Sequence, residues 1–223
     1  MITLVIIGVI AALTIPNLLA KHEEQQTVAK LKKTYAALVT AQRLSIAETG
    51  EDTNIHPYDA FRKYFKTAKD CGITSGNCFA KSEEYKALGG KVTSRIVGSL
   101  DSSKRSNNII LDDGVAITFV PKYWGYVVDS NDLTVLPYIF VDVNGVKPPN
   151  VFGRDTFMFV ILPNKIVPMG ISFNEPGYTC RLNYCNKIFC SINRPNNDLN
   201  GIACTNWVIT KGNMEYLKHD ISE

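Results

Sequence analysis

The run Phe140–Phe157, FVDVNGVKPPNVFGRDTF, is the most distinctive stretch in the chain that could do chemistry. Asp142, Asn144, Gly145, Asn150 and Asp155 could supply carboxylate, amide and main-chain oxygens, the donors a hard cation such as Ca2+ takes. The run is not an EF-hand loop. Its Asp-x-Asn-Gly start lacks the third ligand position and the closing glutamate. A second reading explains most of the same residues without a metal. Asn144-Gly145 favours a tight hairpin turn, Pro148-Pro149 an extended stretch, and Gly153 a further turn.

The six cysteines, Cys71, Cys78, Cys180, Cys185, Cys190 and Cys204, are the other set with built-in reactivity. An even number fits three disulfides in an oxidising compartment. Cys71 and Cys78 enclose a short loop and are expected to pair. The remaining four allow three connectivities. A metal role is disfavoured, because no Cys-x-x-Cys occurs and the cysteines at 180, 185 and 190 have no histidine nearby. Catalytic patterns are missing as well. His22, His56 and His219 show no HxxxH or HExxH spacing, and no GxSxG, Walker or GxGxxG motif is present. Asp112-Asp113-Gly114 reads as a turn between strands, and no enzyme activity is expected.

These residues must be positioned by strands and loops. Strand-like runs, rich in Val, Ile, Phe and Tyr, span 108–120, 123–129, 135–143, 156–162 and 165–169, with turn signals at 112–114, 129–132, 144–145 and 163–164. Such short connections favour antiparallel pairing. Pro57–Asp70 predicts a short amphipathic helix, residues 71–108 an irregular stretch, and Trp207-Val208-Ile209 a last strand. Asn213–Leu217 predicts a closing turn or a helical turn.

The N-terminal end is different. Met1–Ala20 carries no charge, and twenty helical residues rise about 30 Å, the thickness of a bilayer's hydrocarbon core. Residues 22–48 then contain neither Gly nor Pro. Val28, Leu31, Tyr35, Leu38 and Gln42 recur at spacings of three and four, so one helix is expected from about residue 2 to 48, stopped by Gly50. The expected fold class is α+β, a long helix packed on an antiparallel sheet with disulfide-stapled loops. Its divisions are 1–20, 21–50 and a globular part, 51–223. With 24 basic and 21 acidic residues the net charge is +3, which indicates no nucleic-acid partner.

The run Leu4–Gln42, with its aliphatic stretch around Gly8, Ala11-Ala12, Ile15-Pro16-Asn17-Leu18 and a charged amphipathic continuation, resembles the N-terminal helix of type IV pilins and type II secretion pseudopilins. The chain begins inside that apolar run, so a start downstream of a basic leader and cleavage site is expected. The run VDVNG...PN..G.D.F and the tail Gly201–Lys218 are similar to segments of the same proteins. The resemblance implies a pilus or pseudopilus subunit, processed and methylated at its N-terminus. It would be anchored in a bacterial inner membrane by a single span, with its globular domain in the periplasm. Ile7, Gly8, Leu13, Pro16 and Leu18 would lie in the membrane and assembly helix. The implied partners are self or homologous pilin subunits, the membrane and the assembly machinery. A structural calcium at Asp142, Asn144 and Asp155 is also implied. The competing expectation is a periplasmic binding module, anchored but never polymerising.

Overall fold

A computed structural model describes residues 2–50, 57–73, 78–81, 84–91, 93, 106–121, 127–131, 135–170, 175–180, 185–194 and 196–221, with side chains described outside 2–13, 57 and 128. His56, residues 123–126 of the expected second strand and Met1 lie outside the described residues.

Helix α1 runs over Ile2–Thr49 with Pro16 inside it. Gly50 ends it, adopting φ +66° and donating its N–H to the Ile46 carbonyl at 2.8 Å. The buried face of the second half carries Val28, Leu31, Thr34, Leu38, Ala41, Gln42 and Ser45. That spacing of three and four places one stripe against the sheet. Two polar side chains on this face find partners there. Gln42 Nε2 donates to the Leu162 carbonyl at 2.8 Å, and Tyr35 OH donates to the Ile166 carbonyl at 3.1 Å while its ring stacks on Phe159.

The sheet is antiparallel and six-stranded. Its strands are β1 (Thr67–Gly72), β2 (Asn107–Leu111), β3 (Ala116–Val120), β5 (Tyr138–Asp142), β6 (Thr156–Ile161) and β7 (Ile166–Pro168), in that order across the sheet. β4 (Val127–Asp129) and β8 (Tyr178–Cys180) form a separate pair. Every residue of β3, β5 and β6 is buried, so these central strands are covered on both faces. Register explains which residues share a face. Phe119, Ile139 and Phe159 lie opposite one another on the side of α1 and of α2 (Pro57–Phe61), where Phe61 and Tyr58 meet Phe119 edge-on. The alternate residues Phe140 and Met158, and beyond them Asp142 and Thr156, face the other layer. Phe152 and Tyr85 cover that side.

Three disulfides staple the loops, Cys71–Cys78, Cys180–Cys185 and Cys190–Cys204, and so pair all six cysteines. The fold is therefore α+β, with a long N-terminal helix packed on a six-stranded antiparallel sheet and disulfide-linked loops.

Three expectations are corrected. Among the described residues no helix is long and apolar enough to cross a membrane. That finding overturns the membrane-anchored pilus or pseudopilus subunit and the inner-membrane address. Second, Trp207-Val208-Ile209 is not a strand. It lies in helix α3 (Thr205–Lys211), which Gly212 ends with φ +71°. Third, residues 67–72 form edge strand β1 rather than the end of a helix, which stops at Phe61 and tightens into a 3-10 turn over Arg62–Tyr64.

Candidate functional site

β5 ends at Asp142 and β6 starts at Thr156, and the two residues are direct partners across the ladder. The loop between them must leave and re-enter the sheet at adjacent strands. Its chain folds back through Asn144-Gly145 and a cis Pro148–Pro149 bond to Asn150, which has φ +51°. Asn tolerates this left-handed backbone better than most residues. Isolated bridges at Lys86–Val151 and Phe152–Thr156 seat the returning limb.

The geometry brings Asp142, Asn144, Asn150 and Asp155 together. Asp142 is wholly buried. Its Oδ2 accepts from Tyr85 OH at 2.8 Å and from Thr156 Oγ1 at 3.4 Å, and its Oδ1 accepts from the Asn144 N–H at 3.2 Å. Asp155, 3% exposed, closes the loop. Its Oδ1 accepts from the Val151 N–H at 2.6 Å and its Oδ2 from the Asn150 N–H at 2.8 Å and Asn144 Nδ2 at 3.4 Å. The Thr156 hydroxyl also lies 3.4 Å from Asp155 Oδ1, so one hydroxyl spans both carboxylates.

Burial pushes the Asp142 carboxyl well above the usual carboxylate range, and the nearby Asp155 charge adds to this. Hydrogen bonds from Tyr85, the Asn144 N–H and Thr156 oppose the rise. Burial also raises Asp155, against the pull of the Val151 and Asn150 N–H groups. Tyr85 is raised by its own burial and by the Asp142 charge. No ion pair reaches either carboxylate among the described residues. Lys30 of α1 instead donates to the Val143 carbonyl at 3.2 Å.

Two atoms at this site have no partner. Asn144 Oδ1 and Asn150 Oδ1 are both buried and accept no hydrogen bond. A buried amide oxygen left unpaired costs about 1–3 kcal/mol. Among the described residues no three His, Cys, Asp or Glu side chains gather as a metal set. Calcium, however, also takes amide and water oxygens. Two buried carboxylates without an ion pair, beside two unpartnered amide oxygens, fit the calcium that the sequence resemblance implied. Asp142, Asn144 and Asp155 were legible as this set. Tyr85 and Thr156 were not, and nothing in the sequence around Tyr85 links it to a residue 57 positions later.

The loop also forms one wall of a groove of about 280 Å3. The face of α1 from Ala20 to Lys30 forms another wall, and Met214 and Leu217 also line it. The groove mixes both charge signs, from Glu23 and Arg154, with apolar patches from Ala20 and Pro149.

The other expected site residues are dispersed. Pro16 and Leu18 lie on the exposed part of α1, far in sequence from the sheet-packed stripe. Ile7, Gly8 and Leu13 lie in the same helix, with their side chains outside the described residues. The disulfides are structural. Cys190–Cys204 closes a loop of 14 residues, which by chain-entropy reasoning stabilises by about 3 kcal/mol. Ser191 donates to Asp220, which also accepts from Asn193, and this pair has no histidine partner among the described residues. Comparison with protein-family models, with curated proteins and with solved structures gives no match.

Proposed function

We propose that this chain is a non-catalytic, non-polymerising binding module that works in an oxidising compartment and holds a short peptide segment in the groove between α1 and the β5–β6 loop. The groove carries the reading. It combines charged, hydrogen-bonding and apolar wall, which suits a peptide's mixture of amides and side chains. Its size suits a few residues rather than a folded domain. The three disulfides support the compartment, because such bonds persist where thiols are not kept reduced. Kinship with pilin-like proteins is part of the proposal, as a relationship of fold. A long helix leading into an antiparallel sheet supports it.

A pool of fluorescein-labelled hexapeptides tests the reading. The chain is expected to retain a subset with micromolar affinity. Ala20→Trp, which fills the groove from an exposed helix position, is expected to release that subset without changing Tm. Failure to retain any peptide, or equal retention by Ala20→Trp, overturns the groove. Light scattering is expected to show one copy at all concentrations, and growth of oligomers with concentration overturns the non-polymerising part.

A further inference from the structure

We propose that the cavity between the Lys187–Arg194 segment and the C-terminal residues Asp220-Ile221 binds a free aliphatic α-amino acid as its zwitterion. The cavity measures about 260 Å3 and shares no lining residue with the peptide groove, so the inference goes beyond that reading and stands without it. Opposite charges line this cavity without meeting. Lys187, Arg194 and Asp220 all contribute to its wall. Among the described residues neither cation forms an ion pair. Both are still near enough to act on Asp220. Hydrogen bonds from Ser191 and Asn193 hold the Asp220 carboxyl below its usual value, and the Arg194 and Lys187 charges add to this. The cavity thus presents an ionised carboxylate and two cations that contact has not neutralised.

That arrangement selects a ligand with both charges. A simple anion meets repulsion from Asp220, and a simple cation meets it from Lys187 and Arg194. An α-amino acid carries an ammonium for Asp220 and a carboxylate for the planar Arg194 fork. An ionised carboxyl offers about four acceptor sites, so the two used by Ser191 and Asn193 leave room for an ammonium. Ile188 and Ile221 supply apolar wall for an aliphatic side chain. The volume lies just below the roughly 300–1,000 Å3 of drug-sized sites, which suits a ligand this small. The site is also held in shape before anything binds. Asn200, wholly buried, accepts from the Ser191 N–H at 3.1 Å and donates to the Ser191 and Arg194 carbonyls. The Cys190–Cys204 bond anchors the start of the same segment, and the Asn193 N–H donates to Ser191 Oγ at 3.2 Å. Asn193 Nδ2 then reaches Asp220 Oδ2 at 2.8 Å. A preformed set of donors keeps the ordering cost of binding low.

The test is calorimetric titration of the full chain with alanine, valine, leucine and isoleucine. At least one is expected to bind, with leucine at least tenfold tighter than either leucinamide, which lacks the carboxylate, or N-acetylleucine, which lacks the ammonium. Arg194 and Asp220 are exposed, so Arg194→Gln and Asp220→Asn are expected to keep the wild-type Tm. Each is expected to weaken leucine at least tenfold. Asp220→Asn is expected to leave N-acetylleucine no weaker than before, because the repelling carboxylate is gone. Ala20→Trp, in the other groove, is expected to change nothing. Absence of binding by all four amino acids overturns the site. So does blocked leucine binding as tightly as leucine, unchanged leucine affinity in either charge variant, or loss of leucine binding in Ala20→Trp.

Discussion

The β2–β3 turn and the β5–β6 loop meet at one end of the sheet, where a Cβ on Gly145 would stand 3.0 Å from the Gly114 carbonyl oxygen. Both face α1, and each is held by a lysine from the same stretch of that helix. Lys33 pairs with Asp113 at 2.6 Å, whereas Lys30, three residues earlier, donates to a main-chain carbonyl. The two sites treat carboxylates in opposite ways. Partial burial tends to raise the Asp113 carboxyl, but the Lys33 hydrogen bond, the Val115 N–H and the Lys33 charge outweigh it and hold the group below its usual value. In the neighbouring loop burial wins, and Asp142 and Asp155 are raised. The contrast separates two uses of the same residue type. An Asp-Gly turn with a solvent-side lysine is complete as a hairpin connection. A buried pair without a lysine is incomplete as a structural element and needs a proton or a cation.

The largest expected break of this contrast is Asp155→Ala in metal-free protein. It leaves the Asn150 and Val151 N–H groups unpaired, and is expected to cost about 2–3 kcal/mol by urea denaturation. Gly145→Ala comes next. It combines φ +66° with crowding of the Gly114 carbonyl, and about 1–2 kcal/mol is expected from the same measurement. Asp142→Asn has the opposite sign. Removing one of two buried like charges is expected to leave metal-free stability unchanged or raised by up to about 1 kcal/mol, while abolishing the response to calcium.

The smallest effect is one of pH. Asp113 is lowered on folding, so its contribution is present above the ordinary carboxylate range and is lost as pH falls through its lowered value. Asp142 and Asp155 are raised, so theirs is present below the ordinary range and is lost as pH rises through their raised values. In chelator, Asp113→Asn is therefore expected to flatten the acid limb of the urea midpoint. Asp142→Asn is expected to flatten the decline toward neutral pH. Both substitutions acting on the same limb would erase the distinction.

How much was legible follows from whether the signal was local. The helix expected over residues 2–48 is Ile2–Thr49, because a three-and-four stripe and a terminal glycine are both readable in sequence. The β2–β3 hairpin was legible from its Asp-Gly turn and the Cys71–Cys78 pair from proximity, whereas Asn144-Gly145, expected as a tight hairpin turn, instead opens the long loop of residues 143–155 between β5 and β6. The tail was not. Trp207, Val208 and Ile209 prefer strands, yet α3 forms there. It is held on β6, where the Met158 N–H donates to Thr205 Oγ1 at 2.9 Å, and the Cys190–Cys204 bond fixes its start. Tertiary contacts override propensity in a helix this short. β1 escaped notice because Thr67–Gly72 is a polar edge strand with little alternation. The apolar N-terminal run was over-read, since a single-span anchor finds no support among the described residues. The site was half legible. Its carboxylates and amides lie within 14 residues, whereas Tyr85 arrives only through the fold.

The most direct measurement follows the side-chain carboxyl carbons of Asp142, Asp155 and Asp113 by NMR while Ca2+ is added to metal-free protein at neutral pH. The Asp142 and Asp155 signals are expected to shift together and saturate at one equivalent, while Asp113, in the neighbouring turn and already paired with Lys33, stays in place. Signals that do not move, or an Asp113 that moves in step with the other two, would contradict it.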